Sequence, residues 1–197
     1  GVVVDVGADA RVAAANALWQ HGQATEDSGL RVLILPLQDR PPGLRRQAVE
    51  RGLSRIAEDR GGVGSSPGLS VADNLIMKSY RHAPVSSGWV LNRPVIRQNA
   101  EKLKQSYEIA APSIDTEARL LSGGNLQKMI LAREMSTTPK IMIAMQPTRG
   151  LDVGAIEAVH RLLLQEREQG AAVLLISEEL DEIMSLCLRV NDFLTGL

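Results

Sequence analysis

Two continuous apolar runs, separated by one helix-length segment, constrain this chain more than anything else in it. Residues Ile141–Met145 and 171–176 are short and aliphatic, as strands buried on both faces of a parallel sheet are. Between them, residues 154–169 repeat apolar positions at helical spacing, with Ile156, Val159 and Leu163 on one stripe and Gly170 as a stop. A strand, a crossover helix and a second strand imply a parallel α/β sheet.

The same alternation is readable along the rest of the chain. Residues 2–6, 31–35, 53–57 and 189–194 read as further strands. Residues 11–20, 44–51 and 126–136 read as helices, the last with Leu126, Met129, Ile130 and Leu131 towards a core. Ser70-Val71-Ala72-Asp73 resembles a capping box and opens a helix towards Tyr80, which residues 84–88 break. Residues 92–107 are helical after Pro94, and residues 112–119 are irregular. Residues 61–68 form a surface loop rich in Gly, Ser and Pro, the best internal boundary. Ser177 caps a helix whose first turn holds Glu178 and Glu179.

Composition removes several classes. At 197 residues the chain makes one domain, at about 150 residues per domain, with its own core. Twenty-two basic against 23 acidic residues give a net charge of −1, which disfavours a free-standing nucleic-acid binder. Aromatics are 3% (Trp19, Trp89, Tyr80, Tyr107 and Phe193), so the core is aliphatic and base-stacking platforms are scarce. The single cysteine, Cys187, reads as a buried apolar residue in a reducing compartment. No apolar run approaches the ~20 residues of a membrane span, and the start of the chain does not read as a signal peptide. His21, His82 and His160 lack metal-ligand spacing. Lys78, Arg81, Arg93, Arg97, Lys102 and Lys104 make the middle basic, as a solvated helical face or a docking surface.

One motif carries chemistry. In Leu121-Ser122-Gly123-Gly124-Asn125-Leu126-Gln127-Lys128 a loop becomes a helix. Ser122 offers a hydroxyl, the glycines admit close backbone approach, and the helix start adds free N–H groups. That is an anion site suited to a terminal phosphate. Taken alone, it reads first as a plain helix cap.

Its neighbours decide between the two. A helix, a buried strand, Gln146-Pro147-Thr148-Arg149-Gly150-Leu151-Asp152, another helix and strand, then Ser177-Glu178-Glu179-Leu180-Asp181-Glu182 follow in order. This series resembles the nucleotide-binding domain of ABC transporters, most closely the second half of tandem ATPase subunits of sugar and nucleoside importers. Residues 121–128 look like the signature motif, and 141–146 stand at the Walker B position. Asp152 stands at the D-loop aspartate, and Glu178 at the switch histidine. Ala57–Arg60 and 69–81 fit the same family, with Glu58 in the Q-loop place. The resemblance implies a P-loop NTPase-like parallel sheet flanked by helices. It also implies a single domain with an α/β core (1–60 and 120–197), an inserted helical subdomain (61–119) and a truncated N-terminal antiparallel part.

Against that pattern several functional positions are altered. No G-x-x-x-x-G-K-[ST] string is present. Strand–loop–helix order places residues 5–12 there, with Gly7 kept, Ala8 and Ala10 at glycine positions, Arg11 for lysine and Val12 for Ser/Thr. Met145 replaces the Mg²⁺-binding aspartate. Gln146 replaces the catalytic glutamate and takes no proton at neutral pH. The expectation is a half that does not hydrolyse ATP by itself. It supplies Ser122, Gly123, Gly124, Asn125, Gln127 and Asp152 in trans to a composite site, where a partner half mainly binds ATP and Mg²⁺. Gly7, Arg11 and Glu58 would be degenerate contacts in cis. Implied partners are another ABC ATPase half, permease subunits and, indirectly, a periplasmic or lipoprotein solute-binding protein, but not nucleic acid. The implied place is the cytoplasmic face of the plasma (inner) membrane. The alternatives are a non-transport ABC-fold protein, or a degenerate scaffold without enzymatic activity.

Overall fold

A computed structural model describes residues 2–5, 52–186 and 189–191. Its elements run β1 (Val2–Asp5), β2 (Leu53–Ile56), α1 (Val71–Leu75), β3 (Ser86–Ser87), β4 (Val90–Leu91) and α2 (Arg93–Ser106). After a 3₁₀ turn (Ala118–Leu120) come α3 (Gly123–Met135), β5 (Ile141–Met145), α4 (Val153–Glu168), β6 (Ala172–Ser177), α5 (Leu180–Leu186) and β7 (Arg189–Asn191). The expected helices at 11–20 and 44–51, the strand at 31–35, and Gly7, Arg11 and Cys187 lie outside the described residues.

The sheet order is β2-β5-β6-β1-β7. β2, β5 and β6 are parallel, as their continuous apolar runs require, with Met142 opposite Val173 and Ala144 opposite Leu175. β1 departs from the expected crossover. It runs antiparallel to β6, with Val2 opposite Ser177 and Asp5 opposite Leu174. A β-branched run pairs equally well in either direction, so composition does not fix this.

Helix α3 organises the packing, because it is apolar on two sides. Ile130, Leu131 and Met135 enter the sheet core with Ile56, Met142, Val159 and Leu175. Met129 and Ala132 face a second core with Val71, Leu75, Ile96, Ile109 and Ile114. Each fully buried aliphatic side chain contributes roughly 1.5–3 kcal/mol, so both cores lock this one helix in place. On α4 the buried stripe is Ala155, Val159, Leu162 and Leu163. Ile156, expected on it, is only half-buried.

Other departures have local causes. Helix α1 stops at Leu75, short of Tyr80. Buried Asn74 spends its amide on the loop instead, donating to Ser66, Leu69 and Ser70 carbonyls and accepting from the Ser66 N–H. Residues 84–88 form part of a β3–β4 hairpin rather than a plain break. The helix after Ser177 starts at Leu180, so Asp181 and Glu182, not Glu178 and Glu179, fill its first turn. The 61–68 loop is not merely a surface loop. Gly64 and Ser65 are buried. Arg133 Nη2 donates to Gly64 O at 2.7 Å, and Ser65 Oγ to Arg60 O at 2.8 Å. Lys78 is not on a solvated face: it pairs with buried Glu134, which also accepts from Arg133 Nε at 3.0 Å and Arg55 N at 3.1 Å. No helix among the described residues is long and apolar enough to cross a membrane.

Candidate functional site

The 121–128 motif builds a paired helix start. Ser122 is the N-cap of α3, its Oγ accepting from Asn125 N at 3.4 Å and from Asn125 Nδ2 at 2.9 Å. Asn125 Oδ1 in turn accepts from Ala110 N at 2.8 Å, tying the motif to the segment that follows α2. Beside it, Asp152 caps α4 by accepting from Ala155 N at 3.0 Å. The two N-termini are in tight contact: a Cβ on Gly124 would stand 2.8 Å from Ala155 Cβ. Unpaired N–H groups of both first turns make this edge electropositive.

Ser122 and Gly123 are exposed and Asn125 is half-buried. Gly124 and Gln127 are buried. Gln127 is 0% exposed, and neither amide atom has a partner among the described residues, so it is placed inside rather than at the surface. A residue that the sequence did not single out joins the exposed end. Arg60 Nη1 lies 3.4 Å from where a Gly123 Cβ would be. Burial lowers the Arg60 guanidinium below its ordinary value, but such a group stays charged. Sixty-three residues separate the two (123 − 60), so no local pattern could have shown it.

The other edge lies at the ends of β5 and β6. Met145 ends β5 with a thioether where a carboxylate would be needed. Gln146 follows with φ +45°, in the left-handed region that bulky residues seldom adopt. It is held there by two bonds. Its N–H donates to Ile176 O at 2.7 Å, and its Oε1 accepts from Glu178 N at 3.2 Å. The amide oxygen is therefore already engaged, and Glu178 itself is exposed. Glu58 pairs with Arg149 across the same edge.

Behind this edge, Glu182 Oε1 accepts from Thr148 Oγ1 at 2.8 Å and lies 3.3 Å from His160 Nε2. Burial raises the Glu182 carboxyl, but hydrogen bonds from His160, Ser177 and Thr148 outweigh it and hold the group below its ordinary value. Thr148 and Glu182 belong to separate segments of the motif series, and α4, α5 and the 146–152 turn bring them together with His160. Among the described residues no group of three His, Cys, Asp or Glu could hold a metal ion. A thioether and an engaged amide do not fit Mg²⁺.

Comparisons with known proteins bear on the family and the fold. No family model matches the chain. The chain is 43% identical over 151 residues to the guanosine import ATP-binding protein NupO of Bacillus subtilis, covering 77% of this chain and 30% of that protein. It is 44% identical over 147 residues to the glucose import ATP-binding protein TsgD13 of Haloferax volcanii, covering 74% and 27%. The chain is an ABC transporter ATP-binding domain, close to sugar and nucleoside import ATP-binding proteins. This ABC domain thus spans under a third of the length of these relatives. Its fold matches the dimeric ATP-binding cassette MJ0796 bound to ADP and Pi, with a TM-score of 0.58 at 20% identity over 73% of this chain and 60% of that one. A nucleotide-free cassette from an ABC transporter gives 0.56 at 19% identity, over 72% and 57%. The ABC domain therefore has the parallel α/β fold, flanked by helices, that its sequence implied.

Proposed function

We propose that this ABC domain is the degenerate second half of an import ATPase for sugars or nucleosides. It lends its signature to a composite ATP site and does not hydrolyse ATP alone. One asymmetry carries the reading. The helix start at Ser122 and Gly123 is formed, exposed and backed by Arg60, whereas the β5–β6 edge offers Met145 and an amide already bonded to Glu178. The first can stabilise an anion; at the second, neither Met145 nor Gln146 supplies a Mg²⁺-binding carboxylate or a general base.

In this reading the partner half holds ATP and Mg²⁺, and ATP supplies the free energy of its hydrolysis there. This chain's own residues bind and orient. The Ser122 hydroxyl, the Gly123 N–H and the Asn125 amide face the terminal phosphate, and Arg60 adds positive charge beside them. Gly124 lets α3 and α4 approach closely enough to keep Asp152 in the same surface. Gln127 acts from inside, by packing. Gly7, Arg11 and Glu58 are at most weak contacts in cis. The 61–119 part, with α1 and α2, forms the helical subdomain facing a permease at the cytoplasmic face of the membrane, and a solute-binding protein acts only through that permease. Nucleic acid has no place in this scheme.

The test mixes the purified chain with an ABC half carrying an intact G-x-x-x-x-G-K-[ST] loop. Turnover should rise with added chain, and the chain alone should show none. Mg-dependent hydrolysis by the chain alone would overturn the proposal. Binding to the partner half without any effect on its turnover would favour the scaffold reading, and failure to co-purify with a permease the non-transport one.

A further inference from the structure

Away from Ser122 and Gly123, a groove runs between the C-terminal end of α2, helix α3 and helix α4. It consists of two adjoining depressions of about 230 and 200 Å³ that share Tyr107, Leu162 and Gln165. Each is smaller than the ~300–1,000 Å³ of drug-sized sites, so only a short molecule fits. Its lining is mostly polar, and buried Leu162 and the half-buried Tyr107 ring supply the apolar part.

Its polar groups are divided by sign. Lys128 and Arg161 line one depression and Glu166 the other. Five residues along α4 separate Arg161 from Glu166, about 7.5 Å at 1.5 Å per residue. The two cations are only loosely engaged. Lys128 Nζ donates to Glu108 O at 3.2 Å, and Arg161 Nη2 to Glu108 Oε2 at 3.4 Å, the latter between side chains each 66% exposed.

Glu166 is the anomaly. It is 7% exposed, yet its carboxylate makes no hydrogen bond and no ion pair among the described residues. Burial raises its carboxyl above the ordinary range, and burial together with the Glu166 charge raises the Tyr107 phenol. Burial of the residue disfavours the charged carboxylate, and a hydrogen-bond donor beside it would favour that form. Because it lines the groove, a donor can reach it from there.

We infer that this groove binds a small zwitterion, its ammonium on Glu166 and its carboxylate or phosphate on Lys128 and Arg161, with its chain over Tyr107 and Leu162. Occupancy competes with Glu108 for both cations.

The test is calorimetric titration of the 197-residue chain with 6-aminohexanoate, and with hexanoate and hexylammonium as singly charged probes. The zwitterion should saturate in the millimolar range, and each singly charged probe should bind about tenfold more weakly or worse. Glu166→Gln should reduce zwitterion binding about tenfold, and Arg161→Gln, at an exposed position, should weaken it as well. Thermal melts check that both variants fold. No saturation below about 20 mM, equal binding of hexanoate, or unchanged binding in both variants would overturn the inference.

Discussion

Gly124→Ala probes the point where the motif and the fold meet. In an ordinary helix this change gains up to about 1 kcal/mol, because Gly is the poorer helix former. Here the added Cβ would stand 2.8 Å from Ala155 Cβ. Carbon atoms rest at about 3.5–4.0 Å, so the first turns of α3 and α4 must part by roughly 1 Å. Both helices are locked into the core, by Ile130 and Leu131 on one and Val159 and Leu163 on the other, so neither yields easily. Overpacking of this kind costs about 1–3 kcal/mol. The net loss should be about 1–2 kcal/mol, or a fall in Tm of about 3–6 °C for a chain of this size. The assay is a denaturant and thermal melt of four proteins: wild type, Gly124→Ala, Ala155→Gly and the double variant. Removing the Ala155 methyl should restore the space, so the double variant should be more stable than the sum of the singles predicts, by about 1 kcal/mol. A Gly124→Ala variant as stable as wild type, or strict additivity, would refute the reasoning.

Four further outcomes follow, three from buried charges and one from a cap. The Glu166 carboxyl is raised in the folded chain, so its contribution to stability is present below its ordinary value of 4.5 and is lost as pH rises through the folded value. Glu166→Gln should therefore match wild type in melts near pH 4 and exceed it increasingly towards neutrality. Glu182 is lowered, so its stabilisation is present above 4.5 and is lost as pH falls through the folded value. Glu182→Gln should be less stable at pH 7, and the gap should close on acidification. Glu134→Gln removes the only carboxylate bonded to Lys78 and Arg133 among the described residues and should lower stability by about 3 kcal/mol in a urea melt. Ser122→Ala removes a cap and should cost about 1 kcal/mol, with the loss of amide-exchange protection confined to the first turn of α3.

The elements that the sequence showed plainly are those in which burial and periodicity coincide. Ile141–Met145 could only be a two-sided strand, and the Ser122 hydroxyl before two glycines could only start a helix. The β3–β4 hairpin escaped because strands of two residues have no period to read. The end of α1 depended on where the Asn74 amide found partners, which is a tertiary fact. The direction of β1 is invisible in Val2–Asp5, since alternation has no sense along the chain. In the candidate site, the exposed end was legible because it is contiguous in sequence. Arg60 beside Gly123, and His160 beside Glu182, come from separate elements, so only the fold brings them together. Gln127 was expected to contribute in trans with the rest of its segment, yet α3 turns it inwards.

The central claim is that this domain completes another half's site without working one of its own. It is tested most directly by steady-state ATP turnover of an intact partner half, titrated with wild-type chain and with the Ser122→Ala variant. The chain alone should give no turnover, wild type a saturable rise, and Ser122→Ala a reduced plateau at unchanged binding of the two proteins. Turnover by the chain alone, or an identical plateau for both, would contradict it.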